Sequence, residues 1–140
     1  FVGKYTMEMD GVGLEVAYGM LTGNAGTVGA TSNLQYNDLD ETVYSAAITY
    51  AGVKVDYRKN DAGNSGELKN GNAGNDEGTS VCGMYSMGNA RVAACNVESS
   101  QEDTSNLSNN AKTRTYSADY NLGGGVTIGA VYFDVEQTFN

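Results

Sequence analysis

Polar and apolar side chains alternate residue by residue over long stretches of this chain. The clearest stretch runs from Val12 to Met20, where apolar or aromatic residues occupy every second position and Gly, Glu or Ala occupy the positions between. A period of two places successive side chains on opposite faces of a β-strand. The stretch therefore predicts a strand with one apolar face and one polar or small face.

Similar stretches follow one another along the chain and predict an all-β fold of antiparallel strands joined in hairpins. Tight turns are expected at Gly11-Val12, Ala51-Gly52, Gly88-Asn89 and Gly123 to Gly125, because glycine-containing pairs favour short hairpin turns. The predicted strands cover residues 1–10, 12–21, 42–51, 53–59, 79–87, 90–97, 113–122 and 126–134.

Each turn fixes a register in which the apolar residues of both strands fall on the same face. The pairs expected beside the turns are Met9 with Leu14, Tyr50 with Val53, Met87 with Ala90, and Leu122 with Val126. A slip of one residue would exchange the two faces, so the agreement between register and alternation supports all of these hairpins.

Long polar connections alternate with the tight turns. Residues 22–41, 59–78 and 98–112 are rich in Gly, Asn, Ser, Asp and Thr. Connections of this length are uncommon inside compact domains. Outer-membrane β-barrels, however, combine short turns on the periplasmic side with long loops outside. The asymmetry favours the wall of a transmembrane β-barrel.

The composition argues against the core of an ordinary soluble β-sandwich. The 140 residues include 19 Gly and 10 Tyr but only three Phe and no Pro or Trp. The apolar faces carry Tyr, Val, Met and Ala, whereas an inner sandwich face usually carries many Leu, Ile and Phe. Lipid needs no interlocking partner, and the lumen side of a barrel is polar. No segment approaches the roughly 20 apolar residues of a membrane helix, so strands are the expected spanning elements.

Tyrosines on the apolar faces lie near the short turns or near the long loops, as in the aromatic girdles at the two membrane interfaces. The predicted interface residues are Tyr18, Tyr44, Tyr50, Tyr57, Tyr85, Tyr116, Tyr120 and Tyr132. The alternative is that tyrosine is simply a good strand former. Arg114 has the parity of the apolar face and lies at the loop end of its strand, where a long side chain can reach the interface.

The net charge is −9, from 17 acidic and 8 basic residues, which disfavours nucleic acid as a partner. The polar faces carry charges of both signs, which would line a channel: Lys4, Glu8, Glu15, Lys54, Asp56, Arg58, Arg91 and Asp119. Opposed charges on a channel wall set ion preference; the alternative is that they are merely solvated in a wide lumen. The acidic loops are expected to enrich cations near the mouth.

The Gly88-Asn89 turn places Cys82 and Cys95 directly opposite each other on the polar face, in a non-hydrogen-bonded pair. The Cα atoms of such a pair lie about 4.5 Å apart, within the range of a disulfide. A disulfide between them is therefore predicted and fits an oxidising compartment such as the periplasm or cell surface. A pair of free thiols facing the channel is the alternative.

Other chemistry has little support in the sequence. The chain has no His, which excludes histidine triads and histidine metal sites within it. Glu8 and Glu15 are expected to face each other, but an open channel wall offers no water-excluding pocket for acid–base work, so no enzymatic activity is expected. The acids of residues 37–41 and 61–67 could bind calcium, yet neither segment has the EF-hand spacing, and solvated loops are favoured. No cofactor is expected otherwise.

A family resemblance rests on two motifs. YSADYNLGGGVTIGA, from Tyr116 to Ala130, resembles the strand, glycine-rich periplasmic turn and strand of Gram-negative general porins, particularly those of alphaproteobacteria. GVGLEVAYGM, from Gly11 to Met20, resembles another such turn and rising strand. The resemblance implies a trimeric outer-membrane barrel of about 16 strands, through which ions and small hydrophilic solutes diffuse. This chain would supply about half of that barrel, and a further strand is expected beyond it.

The expected partners are the lipid bilayer, lipopolysaccharide, two further copies in a homotrimer, and diffusing ions and solutes. Two alternatives remain from the sequence. The first is a complete eight-stranded barrel that acts as an anchor, adhesin or phage receptor, although small lumen residues such as Gly13 and Ala17 would fill its interior poorly. The second is a soluble secreted β-rich surface protein.

Overall fold

The structure is a computed structural model that describes residues 1–24, 36–67, 69, 74–102 and 108–139. Its strands form one antiparallel sheet in which each strand pairs with its neighbours in sequence. The strands are β1 (Val2–Met9), β2 (Val12–Gly23), β3 (Leu39–Tyr50), β4 (Val53–Gly63), β5 (Asn75–Met87), β6 (Ala90–Glu102), β7 (Ser108–Gly123) and β8 (Val126–Phe139). The prediction of an all-β, antiparallel fold with eight strands in this chain is confirmed.

The second and third hairpins have the predicted registers. Tyr50 pairs with Val53 across the Ala51-Gly52 turn, and Met87 pairs with Ala90 across the Gly88-Asn89 turn. Gly52 has a φ of 82°, and a Cβ atom there would lie 2.5 Å from the Ser86 carbonyl oxygen. Only glycine fits at position 52, because it tolerates both the left-handed conformation and the close backbone approach.

The predicted register of the first hairpin is wrong by two residues. The turn lies at Asp10-Gly11, with φ of 51° and 76°, and Met9 pairs with Val12 instead of Leu14. Asp tolerates the left-handed conformation that this turn needs, whereas a β-branched Val does not. A shift of two preserves the parity of every position, so each side chain keeps its predicted face.

The fourth hairpin departs from the prediction only beside its turn. Val126 pairs with Gly123 instead of Leu122, and the register is irregular between Asn121 and Gly123. The Asn121 Oδ1 atom accepts a hydrogen bond of 2.8 Å from the Gly123 amide, which stabilises the extra residue locally. Beyond this bulge, Tyr120 pairs with Ile128 as expected.

The strands extend farther toward the long connections than predicted. β2 continues to Gly23, β4 to Gly63 and β6 to Glu102, while β3, β5 and β7 begin well before their predicted first residues. The alternation ends earlier than the strands because both faces are polar in these extensions, while backbone pairing continues. The predicted loops 22–41, 59–78 and 98–112 were therefore too long at both ends.

Among the described residues, the sheet has no second layer against which to bury its apolar residues. None of the large apolar side chains in the described part of the chain is buried, and Ile128 and Met87 are 62% and 65% exposed. The described strands β1 and β8 do not contact each other, so both edges of the sheet are open. The described residues include no helix that is long and apolar enough to cross a membrane. A sheet of this kind needs another apolar environment to cover one face.

Candidate functional site

Pairing across all strands divides the side chains between two faces of the sheet. The inner face contains Glu15, Asp56, Cys82 and Cys95 and every position in register with them, and the outer face contains Tyr44, Tyr57 and Tyr116 with their register partners. The eight residues predicted to line a channel lie on the inner face: Lys4, Glu8, Glu15, Lys54, Asp56, Arg58, Arg91 and Asp119. Their role as a channel lining stays a prediction.

Two ion pairs connect neighbouring strands on the inner face. The Lys4 Nζ atom lies 2.7 Å from a Glu15 carboxylate oxygen, and the Arg91 guanidinium lies 2.8 Å from the Asp119 carboxylate. Glu8 lies opposite Gly13, so the expected pair of facing carboxylates, Glu8 with Glu15, is wrong. The two-residue shift of the first hairpin causes this difference.

Strand β4 presents Lys54, Asp56 and Arg58 at consecutive inner-face positions. Lys54 lies in the same shallow groove as Glu8 and Glu15 and interacts electrostatically with Glu15. Within the described residues, Arg58 has neither a hydrogen bond nor an ion pair. Arg58 and Lys54 are thus the basic residues of the described strands that form no ion pair, and Lys54 differs from Arg58 in its electrostatic interaction with Glu15.

Cys82 and Cys95 form a disulfide, with their Cα atoms 4.1 Å apart. The two residues lie directly opposite each other in β5 and β6 and face inward, as predicted. Asp56 lies beside Cys82 in the neighbouring strand, and Thr115 lies beside Cys95. The disulfide therefore lies in the middle of the inner face and joins the two strands of one hairpin covalently.

All of the tyrosines predicted for the membrane interfaces lie on the outer face: Tyr18, Tyr44, Tyr50, Tyr57, Tyr85, Tyr116, Tyr120 and Tyr132. The rings of Tyr18 and Tyr44 have centroids 5.2 Å apart, and those of Tyr116 and Tyr132 are 6.3 Å apart. Such cross-strand aromatic pairs stabilise an antiparallel sheet. Contact with a membrane interface stays a prediction.

Ion pairs also cross the outer face near the long loops, and we call them the outer ion-pair belt. Its members are Lys59 with Glu77, Lys112 with Glu98, and Arg114 with both Asp134 and Glu136. The Arg114 guanidinium lies 2.9 Å from Asp134 and 3.2 Å from Glu136, so it is held on the sheet by carboxylates. Sequence reasoning missed the belt, although the opposite charges at equal parity in neighbouring strands were a usable signal.

Two of the long connections pack against each other. The Asn37 amide donates a hydrogen bond of 2.7 Å to the Glu67 carbonyl, and the Asp40 amide donates one of 3.0 Å to the Ser65 hydroxyl oxygen. These residues belong to the two segments considered for calcium. Among the described residues, no three acidic or cysteine side chains converge in a way that could hold a metal ion.

No protein-family model matches the chain, and no curated protein matches it either. A solved structure is similar, however: OmpT of Vibrio cholerae, an outer membrane protein in its trimer form. The TM-score is 0.62 at 14% sequence identity, and the match covers 97% of this chain. The chain has the fold of an outer-membrane barrel wall.

This barrel wall spans 45% of the length of the OmpT chain. At this low identity the likeness shows the fold and carries over no residue roles. It supports the outer-membrane barrel kind expected from the sequence, and it leaves the alphaproteobacterial general-porin type as a prediction.

The barrel wall carries an unusual carboxylate at its loop end. The Asp76 Oδ1 atom is buried without a hydrogen-bond partner. Partial burial, and then the charge of Glu67, raise the pKa of Asp76 above its ordinary value of 3.8. Because the folded state holds this proton more tightly, Asp76 favours folding at low pH and opposes it as pH rises through the raised pKa.

We expect Asp76→Asn to stabilise the wall at neutral pH, because it removes the poorly solvated charge beside Glu67. Thermal unfolding of the variant and the wild type, followed by far-UV circular dichroism in detergent from about pH 3 to 7, measures the effect. The increase in the thermal unfolding midpoint of the variant over that of the wild type should shrink as the pH falls. Glu67→Gln, the matched control, should give a smaller gain of the same sign. An increase in the unfolding midpoint that does not depend on pH would contradict the raised pKa of Asp76.

Proposed function

We propose that the chain is part of the wall of an outer-membrane porin, through which ions and small hydrophilic solutes diffuse. The observation that carries this proposal is the separation of the faces: the tyrosines and most aliphatic residues of the spanning region lie on one face, and most of its charged residues lie on the other. This arrangement suits a sheet with lipid on one side and water on the other.

Transport in this proposal involves no covalent chemistry and no cofactor. The charges of the inner face, such as Lys54, Asp56 and the Arg91–Asp119 pair, create a field along the water-filled space. The excess of acidic residues gives the protein a net charge of −9 and favours cations at the mouth. Pore width and wall charge together determine which solutes pass.

The outer face supports the proposed partners. Exposed side chains such as Ile48, Val92 and Ile128 would contact the lipid chains of the bilayer. The outer ion-pair belt lies on the same face, toward the long loops, where lipopolysaccharide headgroups would surround the barrel. The similar OmpT structure is in a trimer form, which supports a homotrimer for this protein as well.

A complete eight-stranded barrel that serves as an anchor, adhesin or phage receptor is the second candidate. The presence of eight strands in consecutive order favours it, since eight suffice to close a barrel. The separation of β1 from β8 in the described sheet disfavours it. A soluble secreted protein is the weakest candidate, because the outer face exposes a continuous apolar surface to water.

Conductance of the full-length protein in planar bilayers tests the porin proposal. We expect discrete conductance steps and, in a KCl gradient, a reversal potential that favours potassium. Asp56→Asn on the inner face should shift this potential toward anions, whereas Glu136→Gln on the outer face should leave it unchanged, although both remove one negative charge. Absence of conductance would support the anchor, and detergent-free solubility as a monomer would support the soluble alternative.

A further inference from the structure

The central part of the inner face, between the turn end with Arg91 and Asp119 and the loop end with Asp76, is divided into a charged and an uncharged half. Charged side chains concentrate on β1 to β4, whereas the central inner positions of β5 to β8 carry small, hydroxyl or apolar residues. One row of this uncharged half, from β5 to β8, consists of Cys82, Cys95, Thr115 and Phe133. A channel wall that only carries water and ions has no need for such a surface.

In part of strand β8 the distribution of apolar and charged residues between the two faces is reversed. Its residues Val131, Phe133 and Val135 lie on the inner face, while Asp134 and Glu136 lie on the outer face. Phe133 is 67% exposed and Val131 is 65% exposed. Exposed apolar residues that adjoin one another on a polar wall mark a surface that contacts apolar groups.

Arg58 lies at the border between the two halves. It stands opposite Ser45 in β3 and Ser80 in β5, and Ser80 in turn pairs with Val97 in β6. Arg58, Ser80 and Val97 line one groove on the inner face. Adjacent strands are about 4.8 Å apart, so the backbones at Arg58 and Val97 are separated by roughly 10 Å. This separation matches a small molecule with a polar group at one end and an apolar body.

We propose that the inner face binds small monocarboxylates that have an apolar or aromatic body, with the carboxylate on Arg58 and the body against Val97 and the uncharged half. This inference rests on the porin proposal and names a class of solute for it. A guanidinium without a protein partner can bind a carboxylate through two parallel hydrogen bonds. The hydroxyl groups of Ser45 and Ser80 lie on adjacent strands and can supply further donors.

The acids in the same groove limit where the solute binds. Asp76 lines its loop end and repels a carboxylate there, which leaves the Arg58 end as the favourable position. An inorganic anion would gain nothing from the uncharged half, and an uncharged aromatic alcohol would gain nothing from Arg58. The proposal therefore requires both the charge and the apolar body in one molecule.

Channel block by benzoate tests this inference on the full-length protein in planar bilayers. With KCl carrying the current, benzoate should reduce conductance or increase current noise at concentrations about threefold or more lower than those at which acetate or benzyl alcohol has the same effect. This factor is the gain in affinity expected from an exposed ion pair combined with an apolar contact. Arg58→Gln and Val97→Ser should each remove the preference for benzoate. Lys54→Gln, which removes one positive charge from the same face of the same strand, should preserve it.

The outcomes separate this inference from the porin proposal. Conductance without a preference for benzoate, or equal losses in the Arg58 and Lys54 variants, would overturn the inference and leave the porin proposal intact. If the protein does not conduct, saturation-transfer NMR of benzoate with the folded protein in detergent tests the binding site directly. A signal that is weaker in Arg58→Gln but unchanged in Lys54→Gln supports the site. An equal signal in the wild type and both variants overturns it.

Discussion

Replacing Ala118 by arginine should destabilise the protein in lipid by about 2–4 kcal/mol, the cost of an arginine near the bilayer midplane on the lipid side of a barrel. Ala118 is exposed on the outer face of β7, midway between Tyr116 and Tyr120 on the same face. An arginine there would have no carboxylate at its own position in either neighbouring strand, since Ala118 lies between Val92 and Ala130. Urea unfolding in lipid vesicles, followed by circular dichroism, measures the change.

Ser117→Arg is the matched control. Ser117 is the preceding residue of the same strand and faces inward, between Ala93 and Val131. The substitution adds the same charge to a surface that water reaches, so its effect should remain within about 1 kcal/mol, as is usual for exposed substitutions. Similar losses for both variants would contradict the assignment of lipid to the outer face, and a larger loss for Ser117→Arg would reverse the faces.

Removing the disulfide should have the second largest effect. The cross-link joins residues separated by 13 positions, and a closed loop of about that length restricts the unfolded chain by roughly 3 kcal/mol in the chain-entropy description. We expect the Cys82→Ala, Cys95→Ala double variant to lose about 2–3 kcal/mol, with a lower urea midpoint in detergent. Reduction of the wild type should produce a similar loss.

A nearby substitution separates the effect of the cross-link from that of a lost side chain. Met84→Ala shortens an inner-face residue of the same strand without touching the disulfide, and reduction should destabilise this variant as much as the wild type. Peptide maps with and without reductant should show the 82–95 link directly. Alkylation of free thiols in the folded protein would show that the cross-link is absent.

The alternation of polar and apolar residues predicted most of the fold, because a period of two assigns each side chain to a face without knowledge of the neighbouring strands. The inward position of the cysteines followed from this parity and from the Gly88-Asn89 turn. The first hairpin shows what parity cannot decide. A register with Met9 opposite Leu14 and one with Met9 opposite Val12 give the same faces, and the difference lies in which residue adopts a positive φ.

Other features depended on contacts between strands that are distant in sequence. The pairing of Arg114 with Asp134 and Glu136 required the register of β7 against β8, and without it Arg114 was expected to reach the membrane interface. The packing of Asn37 against Glu67 joins two connections whose polar composition indicated only loops. In β8 the adjacent residues Tyr132 and Phe133 are both aromatic and lie on opposite faces, so alternation alone does not assign a polar face to this part of the strand.

The order of the strands in the sheet is the same as their order in the sequence. Each described hairpin therefore pairs only with the hairpin before it and the hairpin after it, and no described strand crosses over another. A chain of this design can gain or lose a whole hairpin while the pairing within each remaining hairpin is kept. Barrel diameter then becomes a property that gene duplication or deletion can change in steps of two strands, and that a protein engineer can change in the same way.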